Sequence, residues 1–217
     1  MLEARDKGLI KHIGITTHNY SNALEAIETG AYETLQFPFS YLTGVKELDL
    51  VMKCKESNMG FIAMKAMGGG LLKNSKVAYA YMLNYENVLP IWGIQKMSEL
   101  DEFLSYQDNT PKIDDEINEI IRKDRVELAI NFCRGCGYCM PCPQGITINQ
   151  CVRMSLWIRR FPTEPCLTEE YISKMKKIEE CTECGDCLDK CPYELDIPRL
   201  LKENYEDYFN VLEEFKK

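Results

Sequence analysis

The chain has 217 residues, of which 45% are apolar and 28% are charged, a composition typical of soluble globular proteins. Its net charge of −8 comes from an acidic excess in both halves, so no basic surface for nucleic acid is expected. No apolar run is long enough to cross a membrane and no leader-like segment opens the sequence. We therefore expect a cytoplasmic protein without nucleic-acid or membrane partners.

Residues 1–105 alternate short apolar runs with stretches of helical apolar spacing. The apolar runs predict β-strands over residues 12–16, 34–37, 61–65 and 88–92. The stretches that follow them predict helices over residues 23–27, 45–53, 77–83 and 100–104. Four successive strand-then-helix units imply parallel strands covered by helices.

Residues 106–115 (YQDNTPKIDD) interrupt this pattern with polar residues and Pro111. This interruption predicts two domains, over residues 1–110 and 111–217. In the second domain the sequence predicts helices over 115–131, 147–160 and 168–179 and no further strands. The last segment places its apolar residues on one face of a helix: Ile197, Leu200, Leu201, Tyr205, Phe209, Leu212 and Phe215.

Ten of the eleven cysteines lie between residues 133 and 191, and Cys54 stands alone in the first half. In a chain without an export signal, this distribution favours metal binding over disulfides. The stretch "CTECGDCLDKCP" is the C-x2-C-x2-C-x3-C-P run of bacterial-type ferredoxins, in which the fourth cysteine ligates the other of two clusters. Gly185 lets the backbone of this run wrap closely around its cargo.

The stretch "CRGCGYCMPCP" repeats that run with one residue fewer. Together the two runs supply eight thiolates, enough for two [4Fe-4S] clusters. In the cross-ligated arrangement, one cluster has as its ligands Cys133, Cys136, Cys139 and Cys191. The other cluster has as its ligands Cys181, Cys184, Cys187 and Cys142.

Two alternatives remain open at this point. Zinc held by two C-x2-C pairs is the first, although it leaves four of the eight thiols and both Cys-Pro junctions without a role. The second concerns Cys142, because the shortened spacing could alter the direction of its thiol, and Cys151 would then be the substitute ligand. Cys54, Cys166 and otherwise Cys151 are expected to be small buried apolar residues.

Over about residues 120–205 the sequence resembles the α-helical dicluster ferredoxin domains of anaerobic oxidoreductases. The first half resembles the aldo/keto reductases. The motifs that carry this second resemblance are "GLIKHIGITTHN", "ETLQFPFS", "GFIAMKAMGGGLL" and "VLPIWGIQKMSELDEF", which match strands five to eight of that family's barrel. One branch of the family has a C-terminal iron–sulfur extension with a C-x-x-C-x-Y-C-x-P-C-P run. The resemblance implies an α/β fold: half of a (β/α)8 TIM barrel, strands five to eight, followed by an all-α dicluster ferredoxin-like domain.

The family also implies contacts to a nicotinamide cofactor, NAD(P)(H). Thr16, Thr17 and Gln36 occupy the places that hold the nicotinamide carboxamide. Strand seven offers Met64, with Lys65 beside it, where the family has a stacking aromatic. After strand eight, Gln95, Lys96 and Ser98 are the polar candidates for the adenosine phosphate, while Glu99 and Phe103 occupy two of the family's places.

The family's catalytic Asp, Tyr, Lys and His lie on earlier strands and have no counterpart in this chain, so no residue is assigned as catalytic. We expect a fragment or subunit of an iron–sulfur oxidoreductase, whose partner is a redox protein or the N-terminal half of the barrel. The rival interpretation is a ferredoxin-like electron-transfer subunit without catalytic activity, in which the half barrel only docks on a partner enzyme.

Overall fold

The structure is a computed structural model that describes residues 1–128 and 132–215. The chain divides into two compact units, Met1–Ile130 and Asn131–Lys217. Each unit has buried apolar residues of its own.

The first unit is built on a four-stranded parallel sheet. Its strands lie in the sheet in their order along the chain: β1 (Gly14–Thr16), β2 (Thr34–Pro38), β3 (Gly60–Met64) and β4 (Val88–Pro90). The register places Thr16 beside Gln36, and Gln36 beside Ile62. All four predicted strands and their parallel arrangement are confirmed. β1 and β4 are shorter than the apolar runs that predicted them.

Helices precede and follow these strands. They are α1 (Leu2–Asp6), α2 (Tyr20–Thr29) after β1, α3 (Val45–Glu56) after β2, α4 (Ser75–Met82) after β3 and α5 (Met97–Asp108) after β4. α2 has clear end signals, since the Asn19 side chain accepts a hydrogen bond from the Asn22 amide and Gly30 ends the helix with a φ of 61°. The four predicted covering helices are confirmed, and α2, α3 and α5 are longer than predicted, whereas α4 begins two residues earlier and ends one residue earlier.

The core of the first unit lies between the sheet and these helices. Alternate residues of the two central strands are fully or almost fully buried: Leu35, Phe37, Phe61 and Ala63. α3 contributes Leu50 and Val51, which are fully buried. Burying a large apolar side chain contributes about 1.5–3 kcal/mol, so the central strands and α3 anchor this unit.

A sixth helix, α6 (Asp115–Leu128), belongs to the first unit. The Tyr41 hydroxyl donates a hydrogen bond to Oδ2 of Asp124 at 2.6 Å, and Nε of Arg125 donates to the Tyr41 carbonyl oxygen at 2.6 Å. The compact unit therefore continues past the polar stretch that predicted a boundary at residue 110. The end of the helix predicted over 115–131 falls outside the described residues.

The second unit consists of helices and turns, and residues 132–215 contain no strand. Its helices are α7 (Ile148–Cys151), α8 (Met154–Arg160), α9 (Glu169–Lys176), α10 (Asp186–Asp189) and α11 (Ile197–Phe215), with 3-10 turns at Glu164–Cys166 and Lys177–Glu180. The single helix predicted over 147–160 is thus two helices, which break at Val152 and Arg153. The helix predicted over 168–179 ends as a 3-10 turn.

α11 is the longest described helix of this unit. Its buried residues are Ile197, Leu200, Leu201, Asn204, Tyr208 and Leu212. Tyr205 and Phe209 of the predicted apolar face are partly buried against the same core, whereas Phe215 at the helix end is 54% exposed. Asn204 accepts a hydrogen bond from the Ser155 amide and donates one to the Leu200 carbonyl oxygen, which ties α11 to the start of α8. Among the described helices, none combines the length and the apolar character needed to cross a membrane.

Candidate metal centre

The second cysteine run borders a pocket. Five cysteines line it: Cys139, Cys142, Cys181, Cys184 and Cys187. Gly185, with a φ of 85°, begins α10 and turns the chain between two of these thiols. Apolar side chains close the pocket from the other side: Ile146, Ile148, Pro198 and Leu201.

Cys142 comes from the first run but lies with the second. Burial raises the pKa of Cys187, and three neighbouring thiols raise it further: Cys181, Cys184 and Cys142. All four of these thiols line the same pocket.

The other four thiols form a second group. Burial raises the pKa of Cys139 to about 12, and three neighbouring thiols also raise it: Cys133, Cys136 and Cys191. Burial raises the pKa of Cys133 as well, with smaller increases from Cys136 and Cys191. Cys191, which ends the second run, is thus within electrostatic range of two thiols of the first run, Cys133 and Cys139. Cys139 belongs to this group and also lines the pocket of the other, so it lies between the two.

The first group is the more enclosed of the two. Cys133 and Cys139 are buried, whereas Cys184 in the second group is exposed. The Gly135 amide donates a hydrogen bond to Sγ of Cys133 at 3.3 Å. Hydrogen bonds to ligand sulfurs stabilise their negative charge, so this contact favours the thiolate form of Cys133.

The remaining cysteines are placed differently. Cys151 is 1% exposed, its thiol donates to the Lys174 carbonyl oxygen at 3.6 Å, and its Sγ lies 3.6 Å from the Thr147 hydroxyl. Cys151 does not line the cysteine pocket. Cys166 and Cys54 are buried, and burial raises the pKa of Cys54 to about 11. These thiols have the surroundings of packing residues.

Within residues 1–128 and 132–215, no three His, Cys, Asp or Glu side chains converge closely enough to hold a single metal ion. Of the described cysteines, those of the second group share a pocket, and thiols of the first group interact electrostatically with one another.

Of the predicted nicotinamide contacts, Thr16 ends β1, Thr17 follows it and Gln36 lies in the middle of β2. Thr16 and Gln36 are neighbours in the register of β1 and β2. Thr17 is buried, its amide donates to the Gln36 carbonyl oxygen at 3.2 Å, and its hydroxyl accepts from the Asn19 amide at 3.0 Å. The structure therefore brings together the three residues expected at the carboxamide. Lys65 follows the end of β3 with a φ of 57° and is half-buried.

Gln95 and Lys96 lie before α5 and are exposed. Both of their amides donate to Oε2 of Glu99, at 2.8 and 3.2 Å. The positive end of this helix is therefore already occupied by a carboxylate of the chain itself. A phosphate at the same place would meet that negative charge.

Two arginines near the first thiol group were not singled out from the sequence. Arg134 stacks on Phe132 and Tyr193, with its Cζ 4.9 and 4.4 Å from the two ring centroids. Arg153 interacts electrostatically with Cys133. Arg134 could have been found from the sequence, because it lies inside the first cysteine run. Arg153 lies outside both runs, and no sequence pattern pointed to it.

Comparison with protein families agrees with this geometry. Residues 1–77 match the aldo/keto reductase family, and residues 132–196 match the 4Fe-4S dicluster domain. A search of curated proteins found no match. The resemblance expected from the sequence is thereby confirmed: an aldo/keto reductase-type segment is followed by an iron–sulfur domain. This combination supports an oxidoreductase-like role in electron transfer, with iron–sulfur cluster binding by the second unit.

Proposed function

We propose that this chain is a fragment or subunit of an iron–sulfur oxidoreductase of the aldo/keto reductase type that holds two [4Fe-4S] clusters. The first cluster would have as ligands Cys133, Cys136, Cys139 and Cys191. The second would have Cys181, Cys184, Cys187 and Cys142. One observation supports this assignment: Cys142, the last cysteine of the first run, lines the pocket of the second run, while Cys191, the last of the second run, interacts electrostatically with Cys139 of the first.

The donor set fits such clusters. Thiolates are the soft ligands that iron–sulfur clusters take, and eight of them are available in two groups of four. Burial alone disfavours the thiolate form, as the raised pKa values of Cys133 and Cys139 indicate. Bound iron would reverse that preference because it binds the deprotonated thiol.

When bound, a four-iron cluster takes up and releases one electron at a time. The residues of the chain supply the setting for this chemistry. Ile146 and Ile148 keep water from one side of the second thiol group, and Gly135 donates its amide to a sulfur of the first. Cys139, which lies between the groups, connects the two centres.

For the first unit, the proposal takes β1 to β4 as strands five to eight of a TIM barrel. In the complete barrel, Thr16, Thr17 and Gln36 would hold the nicotinamide carboxamide of NAD(P)(H). Lys65, Gln95 and Lys96 would lie along the remainder of the cofactor. The barrel would move a hydride between this cofactor and a carbonyl or alcohol, with the N-terminal half supplied by a partner.

The position of Glu99 favours a second candidate. Because its carboxylate accepts the Gln95 and Lys96 amides, the usual place for a cofactor phosphate at α5 is negatively charged. This favours an electron-transfer subunit that binds no nicotinamide cofactor and uses the first unit to dock on a partner enzyme.

Anaerobic purification of the full chain tests the proposal. Iron, acid-labile sulfide and zinc are measured per chain, and the mass of any co-purifying chain is determined. We expect about eight irons and eight sulfides, as two four-iron clusters require. Stoichiometric zinc without sulfide would overturn the proposal, and a co-purifying half barrel would favour the catalytic form over the electron-transfer subunit.

A further inference from the structure

Arg153 places a positive charge on the loop of the first cysteine run. It lies just before α8, and its guanidinium rests on the backbone of Gly135. A Cβ added at Gly135 would come within 2.7 Å of Nη1 and 3.5 Å of Cζ of Arg153. A side chain at position 135 would collide with the guanidinium, and glycine leaves the space for it.

The surroundings hold this guanidinium in place. Cζ of Arg153 lies 5.2 Å from the centroid of the Trp157 ring, one helical turn further along the chain. Arg153 also interacts with Cys133, which raises the pKa of Arg153, while burial has the larger and opposite effect. An arginine remains charged under such conditions because its unperturbed pKa is above 12.

The second thiol group has a different electrostatic environment. Glu183 and Asp186 line its pocket. Two lysines near it are largely exposed: Lys202, which interacts with Cys181 and pairs with Glu183, has a side chain that is 65% exposed, and Lys190, which pairs with Asp186, has one that is 46% exposed. Water screens an exposed charge more strongly than a half-buried one.

We propose that Arg153 raises the reduction potential at the first thiol group, Cys133, Cys136, Cys139 and Cys191. This inference rests on the proposed function, since it requires a cluster at that group. Reduction adds one electron, supplied in the test by dithionite, and breaks no bond. The added negative charge is stabilised by a half-buried cation close by. Burial of Cys133 and Cys139 alone would lower the reduction potential, because negative charge is costly to add to an enclosed site. Arg153 offsets this cost.

The test is a potentiometric titration, followed by electron paramagnetic resonance, of the anaerobically purified full chain and its variants. Arg153→Met removes the charge and keeps a long side chain. Arg153→Lys keeps the charge. Arg159→Met is the matched control, because Arg159 is an arginine of α8 that pairs with Asp207 instead. Lys202→Met removes one of the two cations near the second group.

Iron and sulfide content is measured first, so that a chain without clusters refutes the proposed function and not only this inference. In the loaded protein, Arg153→Met should decrease the one-electron equilibrium constant for reduction of one of the two clusters about tenfold. This decrease corresponds to a reduction potential that is lower by about 59 mV. Arg153→Lys should restore most of that shift, and Arg159→Met should cause none. Lys202→Met should lower the other potential by less.

The inference is overturned if Arg153→Met leaves both potentials unchanged, or if it shifts both equally. Should Arg153→Met lose half of its iron, Arg153→Gln takes its place and is compared with Arg153→Lys. Equal potentials in Arg153→Gln and Arg153→Lys would also refute the inference. Loss of half of the iron from every Arg153 variant, including Arg153→Lys, would refute it as well. A lower potential in Arg153→Gln alone would support it.

Discussion

The thiol of Cys142, from the first cysteine run, lies in the pocket of the second run and raises the pKa of Cys187. This pairing links two loops that are separated along the chain by α7, α8 and α9. It also bears on the choice between Cys142 and Cys151, since the Cys151 thiol is directed to Thr147 and Lys174. A matched pair of substitutions can separate these two cysteines.

We predict that Cys142→Ala removes one cluster and that Cys151→Ala removes none. Loss of one of four thiolates leaves an iron without its protein ligand, so Cys142→Ala should retain about four of about eight irons. Cys151→Ala removes only a packed side chain and should keep the full iron content. Iron and sulfide analysis of anaerobic samples measures both. The opposite pattern would make Cys151 the ligand.

Cys191 supplies a second test, because its thiol lies near Cys133 and Cys139 although it belongs to the other run. Cys191→Ser should change the spectrum of the cluster at the first thiol group and leave the other largely intact. Electron paramagnetic resonance of the reduced protein distinguishes the two signals. A change confined to the cluster held by Cys181, Cys184 and Cys187 would contradict cross-ligation. Cys166→Ser is the control and should alter neither signal, because Cys166 is buried away from the cysteine pocket.

The attachment of α6 to the first unit is open to a stability measurement. Tyr41 is fully buried, and its hydroxyl donates to the Asp124 carboxylate at 2.6 Å. Hydrogen bonds to charged groups contribute about 1.5–3 kcal/mol, so Tyr41→Phe should lower the local free energy of opening of α6 by about that amount. Hydrogen exchange of the amides in α6 measures this change.

Tyr20→Phe is the control for that measurement. It removes a hydroxyl that donates to Oδ2 of Asp49 at 2.6 Å, the same kind of bond, between α2 and α3. Neither residue belongs to α6, so this substitution should leave exchange in α6 unchanged. Exchange in α6 that responds equally to both substitutions would show that the Tyr41–Asp124 contact does not hold the helix.

Local sequence patterns predicted the strands, their parallel order and the covering helices, because buried parallel strands are continuous apolar runs with helices between them. Features that depend on distant contacts were not predictable. α6 joins the first unit through Tyr41, which is 83 residues from Asp124 in the sequence. The break at Val152 and Arg153 carries no Gly or Pro signal, and it places Arg153 against Gly135 only once the chain has folded.

The same limit applies to the candidate site. Cysteine spacing predicted both thiol groups, since tight loops with fixed spacing bring three thiols together regardless of the rest of the fold. It gave no information on the charges around them. Glu183 and Asp186 in the second pocket, and Arg153 beside the first group, became visible only in three dimensions.

The last prediction is that this chain alone reduces no carbonyl substrate. General acid catalysis of hydride transfer needs a donor with a pKa near the working pH, placed beside the substrate. Two tyrosines of the first unit, Tyr41 and Tyr85, do not meet this requirement. Tyr41 is fully buried and donates to Asp124, while burial, and then the Tyr81 hydroxyl, raise the pKa of Tyr85. A raised pKa makes a tyrosine a weaker acid at neutral pH.

Oxidation of NADH and NADPH with a panel of aldehydes and ketones, under anaerobic conditions, measures this activity. The isolated chain should give no turnover above the buffer rate, and nucleotide binding should be weak, because the half barrel offers only the carboxamide contacts Thr16, Thr17 and Gln36. Adding the N-terminal half of an aldo/keto reductase barrel should restore both binding and turnover, since it would bring the family's catalytic residues near Thr16 and Gln36. Turnover by the isolated chain would mean that a residue within it serves as the acid, and substitution of Tyr41, Tyr81 and Tyr85 in turn would identify which one.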